Sequence, residues 1–145
     1  MKIKHIASTC LVGCTALIIA ATATLAKPGD PTNAVFKSRG TIENARFKGI
    51  GDASLVLAFA NNNGSLGLMN AGRFSIEYVG NVQKNFEGKV QLRVSKFRSS
   101  EKGFRTVPAS GTCNIETSDG TRVIRSICTV QGSAIDHGRS VFTIK

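Results

Sequence analysis

Cys113 and Cys128 frame a segment that can fold in very few ways. Between them Asp119-Gly120 separates two arms rich in β-branched residues, and Asp and Gly tolerate the positive φ of a tight turn. A disulfide needs Cα atoms roughly 4.4–6.8 Å apart, which directly opposed residues of an antiparallel pair satisfy. Opposing Cys113 with Cys128 leaves residues 119–122 as a four-residue loop and sets Glu116 against Arg125, a favourable cross-strand pair. A two-residue Asp119-Gly120 loop would oppose Cys113 to Ser126 and leave Cys128 on a diagonal roughly 7–8 Å away. The four-residue loop is therefore expected. One face of the hairpin then carries Cys113, Ile115, Ile124, Cys128 and Val130, and the other Asn114, Glu116, Arg125 and Thr129. One side is buried and one wet.

A disulfide needs an oxidising compartment, and the N-terminus supplies the route to one. Lys2 and Lys4 precede an uncharged stretch, 6–26, that closes on Thr24-Leu25-Ala26. Residues 1–26 read as a cleavable signal peptide, 27–33 as a flexible mature N-terminus, and 34–145 as a single all-β domain. Two rival readings are an uncleaved anchor and a lipobox at Leu11-Val12-Gly13-Cys14 with Cys14 as lipidation site; the apolar run continuing after Cys14 argues against the second. Cleavage after Ala26 removes Cys10 and Cys14 and leaves an even pair, as expected of an exported, bacterial, periplasmic or secreted protein. It also takes the 19 basic residues to 17 against 9 acidic ones. A surplus of that size favours anionic partners, though it equally serves solubility alone.

From Ala34 onward short β-like runs alternate with Gly, Asn and Asp turns. Segments 35–39 and 41–48 form two strands or one bent one, and Gly49, Gly51 and Asp52 mark a corner. Segment 54–60 is apolar on both faces, as in a central strand covered on each side. Asn61-Asn62-Asn63-Gly64 turns, 66–69 returns, and Asn70-Ala71-Gly72 turns again. Phe74, Ile76 and Tyr78 alternate inward, and 80–87 connects to a long strand, 89–97. There Val90, Leu92 and Val94 oppose Lys89, Gln91, Arg93 and Ser95, and the alternation breaks at Lys96-Phe97-Arg98, which marks a bulge or strand end. Segment 104–107 reads as an edge strand, and 140–144 as the last strand. About eight or nine strands with no amphipathic helix give an antiparallel β-sandwich or barrel.

Chemistry is sparsely signalled. His137 sits in the turn Asp136-His137-Gly138-Arg139, and neither Ser133 nor Ser140 has a nucleophile-elbow context. No metal, cofactor or small-molecule substrate is expected; after cleavage the single remaining histidine and two paired cysteines cannot furnish a zinc site. With no Trp and one Tyr, a stacking platform would rest on Phe or Tyr78. The sharpest cluster is electrostatic: Lys89, Arg93, Lys96, Arg98, Lys102 and Arg105, preceded by Lys84, against Glu87 and Glu101. Such a row is either an anion-binding stripe or a solvated strand whose cations discourage edge pairing.

These features lead to an exported, non-enzymatic β-domain of the cell envelope or extracellular space. It is expected to bind an anionic surface (lipopolysaccharide, acidic glycan or nucleic acid) or an envelope protein. Contact with a membrane is expected only through a lipidated Cys14 or an uncleaved signal. The alternative is a structural subunit of a filament or envelope complex, assembling through sheet edges such as 140–145. An extracellular hydrolase ranks below both.

Overall fold

The computed structural model describes residues 33–118, 120–135 and 138–144. The signal peptide, the leader up to residue 32, Cys14, Asp119, Asp136 and His137 lie outside them. Eight antiparallel strands follow one another: β1 (Asn33–Asn44), β2 (Lys48–Ala58), β3 (Asn63–Asn70), β4 (Phe74–Phe86), β5 (Lys89–Ser99), β6 (Val107–Ser118), β7 (Arg122–Gln131) and β8 (Arg139–Ile144). Each pairs with the next, and β8 pairs with β1 to close a barrel. The choice left open between sandwich and barrel is therefore settled for the barrel. Eight strands enclose a space that side chains alone can fill. Leu55, Leu57, Leu66, Leu68, Ile76, Leu92 and Phe142 fill it here, all essentially without solvent contact.

The alternation of β4 holds: Phe74, Ile76 and Tyr78 point into the barrel. The two-sided burial expected for 54–60 does not. Leu55 and Leu57 are buried, whereas Val56 and Ala58 are only half-buried, because among the described residues no second layer covers the outside. Phe59 and Ala60 belong to a 3-10 turn, Phe59–Asn61, rather than to the strand.

Four other boundaries differ from expectation. Residues 33–44 form one strand, and the turn falls at 45–47, where the Asn44 side-chain oxygen accepts from the N–H groups of Arg46 and Phe47, both at 2.8 Å. Gly49, Gly51 and Asp52 lie inside β2, opposite Ile42, Gly40 and Arg39. A side chain at Gly51 would meet Ile42 and the Met69 backbone, so that glycine records close approach of strands, not a corner. Segment 80–86 continues β4, and the turn is the pair Glu87-Gly88, with φ of 47° and 73°. Phe104, with φ 57°, sits in the β5–β6 loop and β6 begins only at Val107, so 104–107 is no edge strand.

The disulfide joins Cys113 and Cys128, directly opposed as expected, with Glu116 facing Arg125. Beyond that pair the ladder slips: Thr117 faces Val123 and Ser118 faces Arg122. Ile124 is the extra residue, and the loop shortens from four residues to the three at 119–121. The slip reverses the facing of the first residues of β7 only, so Val123 is buried and Ile124 half-buried, the reverse of the expected assignment, while Cys128 and Val130 face inward as expected.

β8 bonds to β7 through Arg139–Thr143 and to β1 through Ser140–Ile144. Being short, it covers only the second half of β1. The first half is held to the β6–β7 turn by the Lys37 N–H donating to the Thr121 carbonyl at 2.9 Å.

Candidate anion-binding face

The outer surface of β5 carries the basic cluster. Lys89, Gln91 and Arg93 point outward by simple alternation. Strict alternation would then send Lys96 and Arg98 into the core. A bulge prevents this: Gly80 faces Val94 while Val79 faces Lys96, so Ser95 is the extra residue against β4. On the other side Val94 faces Gly111 while Lys96 faces Pro108. The phase reverses across Ser95; Phe97 and Ser99 become buried, and Lys96 and Arg98 join Lys89 and Arg93 outside.

A glycine on β4 makes room for the bend. A Cβ at Gly80 would run into the Arg93 carbonyl oxygen, and one at Gly111 into the Thr129 carbonyl oxygen. Both glycines flank Val94, one from each neighbouring strand. The close approach at Gly80 is thus tied to the bulge that aligns the cations, whereas that at Gly111 is to β7. Lys89 and Arg98 then stand about 30 Å apart along the strand, at ~3.3 Å per residue.

The four cations differ in their surroundings. Arg98 is engaged: its Nε donates to Thr106 Oγ1 at 2.9 Å, and a guanidinium nitrogen lies 3.3 Å from Glu77 Oε2. Lys89 faces Glu116, which in turn faces Arg125, a row of alternating charge. Arg93 lies between Asn81 and Thr112, and Lys96 between Val79 and Pro108. Both are exposed, and among the described residues neither has an ion-pair partner. Lys84 lies beside Gln91, whose amide donates to Asn114 Oδ1 at 3.0 Å. Lys84, Lys89, Gln91, Asn114 and Glu116 border a surface depression of about 220 Å³.

Lys102 and Arg105 stand apart from this face. Lys102 is half-buried in the 3-10 turn Ser100–Lys102, where its N–H bonds the Ser99 hydroxyl at 3.3 Å. Arg105 is exposed and directs its Nε to the Lys102 carbonyl at 3.4 Å. The structure thus brings Lys89, Arg93, Lys96 and Arg98 together on one strand and leaves Lys102 and Arg105 on the loop beyond its end.

Sequence reading missed Arg139. It faces Thr129 across the β7–β8 ladder, and Thr129 faces Thr112, which faces Arg93. Nothing in the local sequence signals this, since the row exists only once four strands are in register.

Inside the barrel the one tyrosine hydroxyl, Tyr78, donates to Ser140 Oγ at 2.7 Å. Burial pushes its pKa up to about 12, with the Ser140 contact acting weakly the other way. Sealed among apolar side chains, the pair is a structural contact. Among the described residues no three His, Cys, Asp or Glu side chains converge as a metal site would require. Comparison of the chain with protein-family models, with curated proteins and with solved structures finds no match.

Proposed function

We propose that this protein is an exported, non-enzymatic binding domain whose ligand is a polyanion lying along β5. The observation that carries the reading is the pair Arg93 and Lys96, exposed on one strand face and without an ion-pair partner among the described residues. A cation already satisfied by a carboxylate gains little from a second anion, so Arg98, held by Glu77, counts for less. Lys89 extends the free pair toward the β4–β5 turn.

The test is retention on an immobilised polyanion as salt is raised. Two charges at about 4 Å in water attract by about 1 kcal/mol, and reversing one adds a comparable repulsion. Lys89→Glu with Arg93→Glu is expected to weaken retention about tenfold or more near physiological salt, after allowing for screening over about 8 Å. The salt slope should also flatten, because fewer counterions are displaced. Retention and slope unchanged from wild type would remove the reading.

A further inference from the structure

Beside the cationic strand lies an uncharged depression rimmed by hydroxyl and amide side chains. Ser110 faces Gln131 and Thr112 faces Thr129 across the β6–β7 ladder, and all four residues share the outward phase. Gly111, Val130 and Gly138 contribute to a hollow of about 460 Å³ bordered by Ser110, Thr129 and Gln131. Arg93 faces Thr112 from β5, and Arg139 faces Thr129 from β8. The two arginines are three strand spacings apart, about 14 Å. Like Arg93, Arg139 is exposed and without an ion-pair partner among the described residues.

We propose that this hollow seats a sugar unit of an acidic polysaccharide, so that the polyanion bound along β5 is a glycan. The inference rests on the anion-binding reading and names its ligand class. A glycan presents many neutral hydroxyls among a few carboxylates or sulfates. Hydroxyl and amide groups in the middle, with guanidinium groups at each side, match that mixture. Each guanidinium can grip a carboxylate or sulfate with parallel N–H donors, which a lysine cannot do. Nucleic acid fits less well, because among the described residues no aromatic side chain borders the hollow to stack a base. A bilayer fits less well too. The exposed Phe59 and Phe104 stand in turns, and Phe86, paired with Lys89 at the end of β4, sets a single apolar ring beside the charges and does not border the hollow.

The experiment measures binding of the full mature chain to polygalacturonate, dextran sulfate, unmodified dextran, a DNA duplex and phosphatidylglycerol vesicles at matched salt. Three variants accompany wild type: Thr129→Val with Gln131→Ala, Arg139→Gln, and Arg93→Glu with Lys96→Glu. All the altered side chains are exposed, and far-UV circular dichroism with a melting curve checks the fold. Polygalacturonate or dextran sulfate should bind more tightly than DNA or vesicles, with unmodified dextran weakest. Thr129→Val with Gln131→Ala should weaken the acidic glycan about tenfold and DNA less than about twofold, as expected when two hydrogen bonds worth a factor of a few each are lost. Arg139→Gln should also weaken the glycan more than DNA.

If the glycan ignores Thr129→Val with Gln131→Ala and Arg139→Gln but is lost with Arg93→Glu and Lys96→Glu, the sugar seat is wrong and the anion face stands. If no polyanion responds to Arg93→Glu with Lys96→Glu, both fail. DNA or vesicles binding more tightly than either acidic glycan would overturn the glycan assignment in favour of that ligand.

Discussion

Replacing Gly80 by alanine tests whether the Ser95 bulge depends on close approach of the backbones. A Cβ at Gly80 would overlap the Arg93 carbonyl oxygen, and would also lie 2.7 Å from the Arg93 carbonyl carbon and 2.9 Å from Val94 Cα. All three are backbone atoms, so no side chain can swing aside, and β4 and β5 must separate. Overpacking of this kind costs roughly 1–3 kcal/mol, and one or two weakened ladder bonds add about 1 kcal/mol each. Loss of glycine's unfolded-state freedom returns roughly 0.4–1 kcal/mol. The net expectation is a loss of about 2–4 kcal/mol, which for a domain this size lowers the melting temperature by roughly 8–16 °C. The comparison is Gly67→Ala on neighbouring β3, where a Cβ would find nothing nearer than 3.8 Å. That variant should melt at or slightly above wild type, since glycine within a strand is itself unfavourable by about 0.5–1 kcal/mol. The assay is thermal and urea denaturation followed by circular dichroism, with unchanged m-values showing that stability alone moved. If Gly80→Ala melts with Gly67→Ala, the bulge does not need the glycine and the steric account is wrong.

The remaining predictions concern the core. Tyr78, whose pKa is raised to about 12 from the usual 10.0, should keep its proton in the folded state while the unfolded chain loses its own. Stability is therefore whole below about pH 10 and falls between about 10 and 12, by up to roughly 2–3 kcal/mol. Tyr78→Phe should flatten that part of the pH–stability curve, and a decline of the same size in the variant would contradict the assignment. Because the chain has one tyrosine, near-ultraviolet phenolate absorbance reports this titration without ambiguity. Removing the disulfide, with a sequence separation of 15, should cost about 3 kcal/mol through unfolded-state entropy. Cys113→Ala with Cys128→Ala should show at least that loss in urea, because both positions are buried; a loss under about 1 kcal/mol would show that the cross-link constrains little.

Much of the barrel is readable residue by residue. The alternation of Phe74, Ile76 and Tyr78, the Asn62 and Gly72 turns, and the Cys113–Cys128 register follow from local rules, and the structure keeps them. Misreadings occur where glycine serves packing instead of turning. Gly40 and Gly51 look like punctuation in the chain, yet they face each other in mid-strand where neighbouring backbones crowd in. The converse error is the β1–β2 turn, made by one asparagine side chain at Asn44 with no glycine or proline to flag it. The break at Lys96-Phe97-Arg98 is visible in the pattern as a bulge. Its consequence, four cations on one face, needs the strand to resume on the far side. Arg139 is illegible for a different reason: its neighbours on the outer face come from β5, β6 and β7, and no periodicity within a single segment encodes such a row.

The most direct test of the central claim is a residue-resolved NMR titration of the protein with a short polygalacturonate fragment at about physiological ionic strength, where charges further apart than about 8 Å are screened. The shifts should concentrate on outward residues of β5 to β8, led by Arg93, Lys96, Thr112, Thr129 and Arg139, and leave the outer face of β1 to β3 still. Shifts centred on Lys37, Arg39 and Met69 of that opposite face, or spread evenly over every exposed lysine and arginine, would contradict it.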